Sequence, residues 1–86
     1  MVLLVSYDLK APGRDYATLG HLLASVPHTR PLESVWLLKT NLAPSDWSQK
    51  IRAVIDTNDN FVVVDVTNSS RDGWLKSSAW DWWKMN

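Results

Sequence analysis

The sequence contains no cysteine, so neither a disulfide nor a thiolate metal site can brace it. It has no excess of charge, because nine basic residues balance nine acidic ones. A dedicated nucleic-acid binder carries a basic surplus, so tight binding driven by charge alone is not expected. A single glutamate, Glu33, stands against eight aspartates. Aspartate favours caps and turns, so the acids here mark the ends of elements more than the faces of helices. No long hydrophobic run is present. Five apolar residues precede Ser6 with no basic segment ahead of them, which is too short for a signal peptide or a membrane span. A cytoplasmic protein without a membrane partner is expected. No nucleophile elbow, phosphate-binding glycine loop or zinc spacing occurs.

What is present is a chain of 86 residues, 45% apolar, with six tryptophans. One domain spanning 1–86 is expected. A chain of this length buries only about 60% of the surface its unfolded form exposes. Lacking covalent staples, it must fill its core well or bury more surface by association.

The most informative stretch is Val2 to Asp8, VLLVSYD. It is apolar on both parities, which predicts a strand buried on both faces at the centre of a sheet. Asp8 then sits where that strand leaves the core. Pro12-Gly13 signals a turn, and Asp15 is placed to cap a helix running to about Val26, with Tyr16, Leu19, Leu23 and Val26 as its apolar stripe. Pro27 stops it. His28 to Glu33 reads as a short irregular strand that Pro31 confines to a sheet edge. Ser34 to Thr40, SVWLLKT, is a second strongly apolar strand, joined to the His28 to Glu33 strand by a tight hairpin or continuous with it as one bent strand.

Pro44, with Ser45 or Asp46, opens a second helix ending near Asp56. Its stripe is Trp47, Ile51, Val54 and Ile55, and Lys50 and Arg52 point away from it. Thr57 to Asn60 is a turn. Phe61 to Thr67, FVVVDVT, is a further β-branched strand, and Asn68 to Gly73 is a loop. The tail from Trp74 holds a short helix with Ser77 or Ser78 as its cap. On it Ala79, Trp82 and Trp83 share a face with Trp80 at the edge.

The order is thus βαββαβ followed by a Trp-rich tail. It predicts an α+β fold, a ferredoxin-like sandwich with one antiparallel sheet and both helices on one face. The first and third strands should be central. The other sheet face then lacks a helix, and a second copy or the tail must cover it.

Most chemistry-bearing residues have a structural reading beside the functional one. Asp8 is the best catalytic candidate, against a role in holding the Pro12-Gly13 loop. His21 and His28 have no companion ligands, so a metal site there is not expected. Asp46, Asp56 and Asp59 read as cap and turn acids. Ser6, Ser34 and Thr40 can bond backbone or neighbouring side chains. Trp36 and Trp47 lie on apolar stripes and belong to the core. Trp74, Trp80, Trp82 and Trp83 exceed what one small domain can bury. They read as a dimer or partner interface, ahead of a stacking platform for unpaired bases or a membrane anchor.

Val5-Ser6-Tyr7-Asp8, Ser34-Val35-Trp36 and the βαββαβ length resemble the CRISPR-associated protein Cas two. The resemblance is closer still to its stand-alone, SinR-like relatives, in Ser6-Tyr7-Asp8-Leu9, Glu33 to Thr40 and Asp56-Thr57-Asn58-Asp59. Trp36 and Leu37 stand where the Cas two family commonly has Phe and an acid. The resemblance implies a ferredoxin-like homodimer in which the strand-end acid, Asp8, binds a divalent cation between protomers for endonuclease chemistry. Two copies of Asp8 at a two-fold axis would offer the hard oxygen ligands that Mg²⁺ prefers. Lys10 and Arg14 are what remains of the family's basic helix and are the candidate nucleic-acid contacts. Two functions are therefore expected in competition. One is a Cas-two-like protein that binds nucleic acid, with metal-dependent cleavage at Asp8. The other is a non-catalytic homodimer whose Trp-rich tail docks a protein partner.

Overall fold

A segment apolar on both parities belongs in the interior of a sheet, and Val2–Asp8 (β1) lies there in the computed structural model. The structure describes residues 1–10 and 16–86. The Pro12-Gly13 turn, the Arg14 contact and the Asp15 cap expected from the sequence lie outside the described residues. The other elements are α1 (Ala17–Leu23), β2 (His28–Leu32), β3 (Val35–Lys39), α2 (Pro44–Arg52), β4 (Asn60–Asp65) and α3 (Ser77–Met85). The fold is α+β. Four strands form one sheet in the order β2-β3-β1-β4, with every neighbouring pair antiparallel, so β1 and β3 are the inner strands. β2 and β3 form a hairpin, and the ladder is irregular between Thr29 and Leu32, where Pro31 cannot donate.

Register assigns each side chain to a face. Leu3 lies opposite Leu38, and Val5 lies between Trp36 and Val63. These residues share the first face. Leu19 and Leu23 of α1 and Trp47 and Ile51 of α2 pack against it in one core. Each fully buried side chain of this size contributes roughly 1.5–3 kcal/mol relative to exposure.

The second face presents residues of the other parity in rows across the sheet. Lys39 lies opposite Val2. The next row is Thr29, Leu37, Leu4 and Val64, and the next is Leu32, Val35, Ser6 and Val62. The last described pair is Asp8 and Asn60. Burial falls along these rows. Val2 and Leu37 are buried, although both face away from α1 and α2. The cover there is α3, which touches β2, buries Ala79 and shares a cleft with Val2. Leu32 and Val62, one row farther along, are each 52% exposed, and Val64, at the β4 edge of the Leu37 row, is 43% exposed. The tail is therefore a lid over one half of the face.

Three helix ends differ from the sequence reading. α1 stops at Leu23 rather than Val26, because Ser25 turns back and its hydroxyl donates to the Leu22 carbonyl at 2.6 Å, serving one of the free acceptors at the helix end. α2 stops at Arg52 rather than near Asp56, whose backbone N–H is instead held by the Asp59 carboxylate at 2.8 Å. At the start of α2, Asp46 accepts from the Ala43 N–H at 3.1 Å. Neither Ser77 nor Ser78 caps α3. Lys76 occupies the cap position and makes no side-chain cap bond.

After β4, Thr67 closes the sheet end. Its Oγ1 accepts from the Val2 N–H at 2.9 Å, and its own N–H donates to Asp65 Oδ1 at 2.9 Å. Hydrogen bonding first from the Thr67 side chain and then from its backbone holds the Asp65 carboxyl below its ordinary value of 3.8. A depressed folded-state value means that this contribution to stability is complete above about pH 3.8 and is lost as pH falls through the folded value. An NMR titration should place the Asp65 midpoint below that of a free aspartate. Thr67→Val should return it upward, and an unchanged midpoint in the variant would refute the assignment.

Candidate functional site

The site begins with the alternation of β1 at its exit from the sheet. Tyr7 points to the helix-covered face, where it packs on the core, and Asp8 points to the half-bare face. The Tyr7 hydroxyl is a junction. It donates to the Glu33 carbonyl at 3.2 Å, and it accepts from Trp36 Nε1 at 3.1 Å and from an Arg30 guanidinium nitrogen at 3.3 Å. Arg30 also donates to the Glu33 carbonyl, through Nε at 2.8 Å and through Nη2, and lies 5.2 Å from the Trp36 ring centroid. His28, whose Nδ1 lies 2.8 Å from the Val26 carbonyl, packs a tilted ring 5.2 Å from Trp36. A cleft of about 390 Å³ opens beside this cluster, lined by Tyr7, Asp8, Tyr16, Arg30 and Trp36 among others.

Asp8 itself is open to solvent, its side chain 69% exposed, with Lys10 Nζ at 3.4 Å. An ion pair this exposed is worth at most about 1 kcal/mol, so it orients the carboxylate only loosely. Among the described residues, no three His, Cys, Asp or Glu side chains come together as a metal-binding group. Among the described residues of one copy, Asp8 is a single carboxylate with the Lys10 ammonium beside it and no second acid grouped with it, a set that does not fit magnesium.

The backbone that carries Asp8 and Lys10 is fixed from below by Asp59. This carboxylate is buried. It accepts from the Lys10 N–H at 2.7 Å, from the Tyr16 hydroxyl at 2.8 and 2.9 Å, and from the Asp56 N–H at 2.8 Å. The end of β1, the residue before α1 and the α2–β4 turn thus meet on one charged group. The sequence marks Asp59 only as a turn acid. Its bonds to Lys10 and Tyr16 span 49 and 43 residues, which local spacing cannot register.

Trp36 and Trp47 lie in the core as their stripes require, and the Trp47 indole donates to the buried Thr40 hydroxyl at 3.1 Å. The tail is less uniform. Trp80, Trp82 and Trp83 are half-buried, whereas Trp74 is 98% exposed. Trp80 and Trp83 stack with centroids 6.0 Å apart and planes 9° from parallel. His21 is exposed on α1. Among the described residues no helix is long and apolar enough to cross a membrane.

Comparison with protein-family models, with curated proteins and with solved structures finds no match to this chain.

Proposed function

We propose that the protein is a self-pairing, Cas-two-like module, ferredoxin-like in build, that engages nucleic acid at the end of the sheet where Asp8 emerges. The observation that carries this reading is the position of Asp8. It lies on the same sheet face as the exposed Leu32, Val62 and Val64, next to the row that holds Leu32 and Val62. Two copies meeting through that strip would bury its apolar side chains and bring two Asp8 carboxylates to one axis. The ferredoxin-like reading is supported by the β1-α1-β2-β3-α2-β4 order and by the core that α1 and α2 share on one face. Lys10, beside Asp8, is a cation available to a phosphate.

The geometry favours binding over cleavage, since a magnesium-dependent endonuclease would need the acids of both copies. Light scattering at micromolar concentration should give the mass of a dimer. Val62→Asp combined with Val64→Asp should give a folded monomer, and a monomeric parent protein would sink the proposal. Filter binding of RNA and DNA should weaken steeply between low and moderate salt. If Mg²⁺- or Mn²⁺-dependent cleavage occurs, Asp8→Asn should abolish it and leave binding in place. Absence of cleavage by the parent ends the endonuclease reading alone.

One observation favours the second reading, a non-catalytic module that docks a protein partner. Trp74 stands almost wholly in solvent, and an exposed indole is a common anchor at interfaces. On that reading Trp74→Ser removes partner binding, and the paired Val62 and Val64 substitutions do not.

A further inference from the structure

The cleft between the loop after β4 and α3 is not part of the site described above. It encloses about 480 Å³, and its lining includes Val2, Asn68, Arg71, Trp80, Trp83 and Lys84. Asn68 adopts a left-handed backbone, φ 54°, which asparagine tolerates better than other side chains and which turns the chain after β4 toward α3. Arg71 lies 4.1 Å from the Trp83 ring centroid, and its Nε is fixed on the Ser69 carbonyl at 3.0 Å. Its terminal nitrogens make no hydrogen bond or ion pair among the described residues, and Lys84 forms no ion pair there. The indole N–H of Trp83 is buried and has no acceptor among the described residues. A buried donor left without a partner costs about 1–3 kcal/mol, so the position is one that an acceptor would relieve.

We propose that this cleft binds a phosphate monoester carried on a planar base, such as a nucleoside monophosphate. Two cations line a space large enough for such a ligand, beside an indole whose N–H is unsatisfied among the described residues. A guanidinium matches phosphate oxygens with paired donors, and two positive charges match the dianion better than they match a single carboxylate. The two indoles supply the apolar wall for the base. The inference uses neither Asp8 nor pairing between copies, so it stands or falls apart from the proposed function.

The test is a titration of the full chain followed by the ¹⁵N–¹H signal of the Trp83 indole. Adenosine 5′-monophosphate should move that signal saturably. Inorganic phosphate and adenosine should each bind at least about tenfold more weakly. Arg71→Gln and Lys84→Gln should each weaken the nucleotide about tenfold or more, and Arg52→Gln, on α2, should not. The proposal is overturned if the indole signal does not respond, if adenosine binds as well as its monophosphate, if phosphate alone binds as well, or if Arg71→Gln leaves the affinity unchanged.

Discussion

Asp59→Ala is expected to lower the unfolding free energy by about 3 kcal/mol or more. The variant strips the acceptor from the Lys10 N–H, the Asp56 N–H and the Tyr16 hydroxyl at once. Hydrogen bonds to a charged group contribute about 1.5–3 kcal/mol each, and partial access of water to the vacated space offsets part of the sum. A chain of this size holds only about 4–13 kcal/mol in all, so the loss is a large fraction of its stability. Asp59→Asn should cost less, because the amide keeps one acceptor oxygen. Urea titrations of the three proteins would show the order, and an alanine variant within about 1 kcal/mol of the parent would contradict it. Hydrogen exchange at the Lys10 amide should accelerate in the same variant, since this is the peptide group that follows the Asp8 strand end.

Trp47→Ala should cost about 3–5 kcal/mol by leaving a cavity in the core shared by α1, α2 and the sheet. Trp47 is 1% exposed, so the vacated space lies where solvent cannot easily fill it. Its indole N–H also donates to Thr40 Oγ1, which accepts in addition from the Leu42 N–H at 3.1 Å. Thr40→Val removes that acceptor while nearly conserving shape, and should cost about 1–3 kcal/mol through the stranded indole. The two substitutions should not add. Once the indole is gone, Thr40→Val strands only the Leu42 N–H, and its penalty should shrink by about 1 kcal/mol. A double-mutant cycle by chemical denaturation reads this coupling. Strict additivity would mean that the hydrogen bond contributes nothing.

The fold was legible wherever burial follows from local pattern. VLLVSYD is apolar on both parities and became an inner strand. SVWLLKT did the same, and Trp47 and Ile51 formed the buried stripe of α2, while Val54 and Ile55 pack on the core from beyond its end. Helix ends were less legible, because they were decided by bonds of the turns that follow the helices rather than by the apolar stripes. Asp56 left the helix for the Asp59 carboxylate, which no spacing within α2 announces. The candidate site was legible in one residue, Asp8, since a strand end can be read from the strand. Its surroundings were not. Arg30, Glu33 and Trp36 reach the Tyr7 hydroxyl only because the β2–β3 hairpin folds beside β1, a juxtaposition across 23 to 29 residues. The role of Arg71 was hidden for a similar reason. It reads as a loop cation until α3 swings Trp83 beneath it. The Trp-rich tail was recognised as too aromatic for solvent, but which half of the sheet it would shelter depends on the length of the 66–76 connection.

The partial lid has a consequence for how large an assembly can grow. A sheet face open along its whole length could be used twice, once by each of two neighbours, and copies could then run on into a filament. With α3 across one half, a single patch remains. Under the proposed pairing, a patch that meets its own counterpart would be consumed by the first encounter, and association through it would end at a closed, two-fold pair.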